Sequence, residues 1–102
     1  MEVSLTTAGR AILDDEWLCP RVSRDDLGAG TETLYQLGEL LSSAKQTITL
    51  PEKPTYRSMA HAIRMITPTF PPRDQELLNR GVRELVDAAN KRVGHPLSLT
   101  LA

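Results

Sequence analysis

At 102 residues the chain has the size of one domain, with no room for a second independent core. With 40% hydrophobic and 25% charged residues it lies outside the compositions of disordered chains, and its four aromatic side chains leave the packing to aliphatic ones. A net charge of −1 argues against a dedicated binder of phosphate backbones, and the single cysteine excludes an internal disulfide and a thiolate metal site.

Met1–Leu5 reads as an extended lead-in, because Val3 and Leu5 alternate with Glu2 and Ser4. The first helix is predicted over 7–17, capped by Thr6 or Thr7, whose hydroxyl satisfies a first-turn amide. Ala8, Ala11, Ile12, Leu13 and Trp17 supply its apolar side, Gly9 weakens it, and Pro20 closes the segment. A lone tryptophan in so small a chain is expected in the core, although beside a loop it would make a binding anchor. Cys19 has no neighbouring His or Lys to lower its pKa, so it is not read as a nucleophile.

Ser23–Asp26 resembles a helix start that Gly28-Ala-Gly30 interrupts, so 23–30 is read as a turn or a single helical turn. A second helix is predicted over 31–48, starting near Thr31 or Thr33, with Leu34, Leu37, Leu41, Ala44 and Ile48 on one stripe despite Gly38. Thr47-Ile-Thr-Leu50 also alternates, and Pro51 and Pro54 then make a loop. The third helix is predicted over 55–66, with Pro54 suited to its first turn and Tyr56, Met59, Ala60, Ile63 and Ile66 repeating at helical spacing. Pro68, Pro71 and Pro72 impose an extended connector around Phe70.

The fourth helix is predicted over 72–93. Pro72 opens it, and Leu78, Val82, Leu85, Val86, Ala89 and Val93 form its apolar stripe. Glu76–Arg80, Arg83–Asp87 and Asp87–Lys91 are spaced for ion pairs, and Gly94 is suited to a left-handed cap. The tail 95–102 alternates from Leu97 to Leu101. The fold class that follows is mostly α: a bundle of three to four helices in one domain, 1–102. A minor β pairing of the N-terminal, Thr47–Leu50 and C-terminal segments is open to it. The tail is equally suited to extending a partner's sheet.

Two constellations stand out as candidate partner-binding sites. Arg57, His61 and Arg64 share one edge of the third helix, opposite the Met59/Ile63 stripe, and suit a carboxylate-rich partner or a phosphate. They also serve simply as the polar face an amphipathic helix requires. Asp14, Asp15 and Glu16 crowd the C-terminal end of the first helix, where the helix dipole disfavours anions. A solvated charge run accounts for them too. The split is global: residues 1–50 carry −4 and residues 51–102 carry +3, to be neutralised within the fold or presented as two unlike faces.

Leu5-Thr-Thr-Ala-Gly-Arg-Ala-Ile-Leu13 resembles the segment that follows the wing in some winged-helix regulators. The likeness covers nine residues and carries over no functional residue. No spacing of His61, His95 and Cys19 matches a zinc site, Gly28-Ala-Gly30 lacks the remainder of a phosphate loop, and no cofactor is expected. The expectation is therefore a cytoplasmic, non-enzymatic protein–protein interaction module or regulator, of inhibitor or adaptor type, that self-associates. Neither a signal peptide nor a membrane span is expected. Two alternatives stand beside it. One is a helix-turn-helix DNA binder built on the second and third helices. The other is a small enzyme with a site between subunits.

Overall fold

The computed structural model of the chain describes residues 1–21 and 28–99. Strand β1 (Glu2–Ser4) runs directly into helix α1 (Leu5–Asp14). Ser4 caps that helix rather than Thr6 or Thr7: its Oγ accepts from the Thr7 amide at 3.1 Å, so the helix starts two residues early. It also ends three residues short of Trp17. Asp15 turns extended (ψ 108°), and its Oδ1 accepts from the amides of Trp17 (2.9 Å) and Leu18 (3.1 Å). A short acidic side chain that bonds the backbone ahead of it competes with helix continuation.

Helix α2 (Ala29–Ser42) begins before both threonines assigned to its cap, and Thr33 lies inside it with its hydroxyl on the Ala29 carbonyl. Of the turn read at 23–30, residues 23–27 lie outside the described residues, and Ala29 and Gly30 already belong to α2. The helix stops well before Ile48, at a point where the Ser42 and Ser43 hydroxyls both bond back to the Glu39 carbonyl. Beyond it the β-branched run Thr47–Thr49 forms strand β2, antiparallel to β1, with Val3 opposite Ile48. Both of those side chains are buried, so the alternation outweighs the helical spacing that assigned Ile48 to α2. The expected pairing of the first two alternating segments is present. Among its described residues the tail adds one isolated bridge, Thr55 to Pro96, and no third strand.

Helix α3 (Tyr56–Ile66) is started by a capping box, in which Thr55 accepts from the Ser58 amide and Ser58 from the Thr55 amide. Pro54 thus precedes the cap. The connector after α3 is a 3-10 turn over Thr67–Thr69 instead of an extended segment, because the Thr67 hydroxyl bonds back to Ile63 and Pro68 fits the first turn. Helix α4 (Pro72–Lys91) then runs for 20 residues, and Gly94 takes the left-handed conformation (φ 74°). Of the predicted ion-pair ladder, Asp87–Lys91 closes at 3.0 Å. Val93 leaves the expected stripe and is 86% exposed.

The helices pack in the order α1–α2–α4–α3, with the two-stranded sheet beside α1 and α3. One cluster of aliphatic residues, from Val3 to Leu97, fills the space between them, with Tyr56 its largest fully buried side chain. Helices α1 and α2 meet at two glycines. A Cβ at Gly9 would lie 2.6 Å from the Gly38 carbonyl oxygen, and one at Gly38 would lie 2.6 Å from Leu13 Cγ. The two residues that weaken their helices in sequence are thus what lets the backbones approach.

Candidate functional site

The capping box fixes where α3 begins, and from there helical periodicity decides the rest. Tyr56, Met59, Ala60 and Ile63 turn inward, which leaves Arg57, His61 and Arg64 exposed along one edge. This edge borders a groove against α4 of about 520 Å³, lined by Arg57, Ser58, Ala60, His61, Arg64 and Val86. Ala60 is too small to fill the space, and half-buried Val86 supplies an apolar wall from α4. Among the described residues, no acidic side chain lines the groove. Arg57 is held in place across it, its Nη2 donating to Asn90 Oδ1 at 2.7 Å. The three basic residues read from the sequence are therefore brought together around one concavity.

The acidic run is not part of it. Asp14 and Glu16 are exposed, whereas Asp15 is half-buried and committed internally. Its Oδ1 caps the turn after α1, and its Oδ2 accepts a 2.7 Å hydrogen bond from the Tyr56 hydroxyl. The crowding at the end of α1 is thereby relieved: Asp15 leaves the helix and finds three donors. Burial first, and then the Asp15 hydrogen bond and charge, push the Tyr56 phenol well above its usual range, with Arg92 opposing.

The opposite side of α4 is mixed in charge. There a second cavity of about 370 Å³ is lined by Trp17, Thr31, Leu34, Glu84, Asp87 and Lys91. The Glu84 carboxylate lies against Gly30 in the first turn of α2, where the helix dipole favours an anion. Helix α4 thus separates a basic groove from a cavity in which Glu84 stands beside the Asp87–Lys91 pair; these charged residues all come from 51–102, so the two sides do not display the charge split between the halves.

An aromatic and basic cluster that sequence reasoning did not assemble lies at the α4 C-terminus. Trp17 is 42% exposed, not part of the core as expected, and stacks on Tyr56 at 5.9 Å with an interplanar angle of 10°. The Arg92 guanidinium lies 5.0 Å from the Trp17 ring centroid and donates toward His95 Nδ1 at 2.9 Å. His95 in turn packs on Tyr56 at 5.9 Å. These side chains come from the turn after α1, the start of α3 and the end of α4, so no local spacing reveals them.

Cys19 is buried at 2% exposure, and burial together with the Asp15 charge pushes its thiol up to about 12. It is a packing residue. Among the described residues no group of three or more His, Cys, Asp or Glu side chains is placed to hold a metal ion, and no helix is long and apolar enough to cross a membrane. Comparison of the chain with family models, curated proteins and solved structures gives no match.

Proposed function

We propose that the chain is a non-enzymatic protein–protein interaction module whose α3–α4 groove receives an acidic segment of a partner protein. The observation that carries this reading is the alignment of Arg57, His61 and Arg64 around Val86 with, among the described residues, no carboxylate in the lining. Cations spaced over two turns select an extended or helical run of carboxylates, and the apolar wall rewards a hydrophobic residue among them. Ala60 and Asn90 keep the groove open and its first arginine fixed.

The packing favours a protein partner over DNA. In a helix-turn-helix the two helices contact each other across a short turn. Here β2 intervenes, α2 packs on α1 and α4, and α3 packs on α4. The net charge of the chain is also −1, whereas a small DNA binder needs a clear basic excess.

The test is a polarisation titration with a labelled Glu-rich, Leu-containing peptide and, separately, a random-sequence DNA duplex. The peptide is expected to bind, and Arg57→Glu with Arg64→Glu to weaken it by about tenfold or more at unchanged melting temperature. Unchanged peptide affinity in that variant, or tighter and steeply salt-dependent binding of DNA, would refute the reading.

A further inference from the structure

Where α3 begins and α4 ends, a smaller cavity of about 180 Å³ adjoins the groove and shares Thr55 and Arg57 with it. Arg57, Arg92 and His95 line it together with Tyr56, Ala89 and Gly94. Its volume falls below the roughly 300–1,000 Å³ of sites for drug-sized ligands, so it suits one compact group.

Each basic side chain is oriented by a neighbour. Arg57 is held by Asn90 at 2.7 Å. Arg92 rests over Trp17 and reaches His95 Nδ1 at 2.9 Å. A guanidinium has no acceptor, so His95 Nδ1 must accept this bond, and the neutral ring then carries its proton on Nε2 as a further donor. Gly94, with φ 74°, makes the turn that returns His95 toward α4, where its amide bonds to the Arg92 carbonyl at 3.1 Å. Asp15 does not line the cavity: its carboxylate accepts from the Trp17 and Leu18 amides and from the Tyr56 hydroxyl, on which Arg92 also acts.

The cavity therefore offers two permanently charged guanidinium groups, an imidazole N–H and, among the described residues, no acid in its lining. A carboxylate would balance one of the two charges. A phosphomonoester balances both and presents the oxygens that a guanidinium grips in pairs. We propose that this cavity binds one phosphomonoester dianion, carried on the partner segment that lies in the α3–α4 groove. The inference rests on the groove reading for its source and on Arg57, Arg92 and His95 for its chemistry.

The experiment titrates isotope-labelled protein with inorganic phosphate, with an acidic peptide bearing one phosphoserine, and with the same peptide carrying Ser or Glu at that position. Inorganic phosphate is expected to shift the amide signals of residues 55–57 and 92–95. The phosphopeptide is expected to bind about tenfold tighter than either counterpart. His95→Phe, which keeps the ring against Tyr56 and lies outside the larger groove, should remove most of that advantage and leave the Ser peptide unaffected. Arg57→Gln should remove it as well, with thermal melting showing that both variants fold. Equal binding of phosphorylated and unphosphorylated peptides, or a phosphate response elsewhere in the chain, overturns the proposal. Equal binding that Arg64→Glu still abolishes would do so while leaving the groove reading intact. A phosphate response at these residues without binding of any peptide would instead overturn the peptide-borne source.

Discussion

The Tyr56 hydroxyl donates a 2.7 Å hydrogen bond to Asp15 Oδ2 across 41 residues of chain, and so ties the end of α1 to the start of α3. The ring of the same tyrosine is 1% exposed and carries Trp17 on one contact and His95 on another. A hydrogen bond to an ionised acceptor contributes about 1.5–3 kcal/mol. Tyr56→Phe, which keeps the ring, is therefore expected to destabilise the fold by about 1–2 kcal/mol, given that Asp15 is half-buried. Asp15→Ala should cost more, because it also removes the cap on Trp17 and Leu18, worth about 0.5–2 kcal/mol. Chemical denaturation of both single variants and the double variant measures the coupling, and an additive double variant would contradict a direct interaction.

The neighbours of Asp15 should behave differently. Asp14 and Glu16 are exposed, and among the described residues neither closes an ion pair. Asp14→Asn and Glu16→Gln are expected to change stability by less than about 0.5 kcal/mol each. The same denaturation series checks this, and a loss as large as that of Asp15→Ala would mean that the acidic run acts as a unit.

The α1–α2 crossing makes a prediction of opposite sign to helix propensity. Gly→Ala within a helix ordinarily gains about 0.5–1 kcal/mol. At Gly9 the added methyl would meet backbone atoms, the Gly38 oxygen and the Ser42 nitrogen, each 2.6 Å away. Overpacking against backbone costs about 1–3 kcal/mol, so Gly9→Ala should be net destabilising. Gly38→Ala meets the Leu13 side chain, which is half-buried and able to move, and should cost less. Urea midpoints that rank the two variants the other way would contradict this crossing geometry.

These cases also mark what could be read in the chain. Four helices, the alternation of Val3–Leu5 and Ile48–Leu50 and the basic edge Arg57–His61–Arg64 were legible, because each depends on periodicity over neighbouring residues; the pairing of Val3 with Ile48 was only one option. The ends of α1 and α2 were not. Asp15 stops α1 by satisfying amides ahead of it, and Ile48 fits either a helical stripe or an alternating strand until Val3 is placed opposite it. The groove needed Val86 and Asn90 from α4, and the Tyr56–Arg92–His95 cluster needed three separate segments. Such convergence is a property of packing. Gly94 was the local signal pointing to a turn beneath His95, and it does take the left-handed conformation.

Alkaline stability follows from the two raised acids. Cys19 is pushed from its ordinary 9.0 up to about 12, and Tyr56 is shifted in the same direction. Below about pH 9 the thiol is protonated in both the folded and unfolded chain, and its contribution is constant. Above that, the unfolded chain releases the proton while the folded one retains it, so the unfolded state binds fewer protons and stability falls as pH rises toward 12. Urea midpoints should decline above about pH 9, and Cys19→Ala should flatten the decline. An equal slope in that variant would assign the effect to other groups. In the native state at neutral pH the thiol should react with a disulfide reagent far more slowly than in the denatured chain.

The tail ties the fold to the proposed phosphate site, and Leu97 is the residue that tests the tie. Its amide donates to the Pro54 carbonyl at 2.8 Å, the bridge Thr55–Pro96 lies beside it, and its side chain is 3% exposed within the core. Leu→Ala at a buried position costs about 2–5 kcal/mol, and a site near the chain's edge that can relax belongs toward the lower end. Because Leu97 anchors the segment that places His95 against Tyr56 and Arg92, Leu97→Ala should also loosen the cavity. The expected outcome is a lower melting temperature together with a reduced phosphopeptide advantage, while the Ser peptide still binds below the transition. The contrast with Leu41→Ala, deep in α2 and 0% exposed, makes the test specific. Both variants lose stability by cavity formation, and only the tail variant should alter phosphate selectivity. If the two change it alike, His95 is not positioned by the tail.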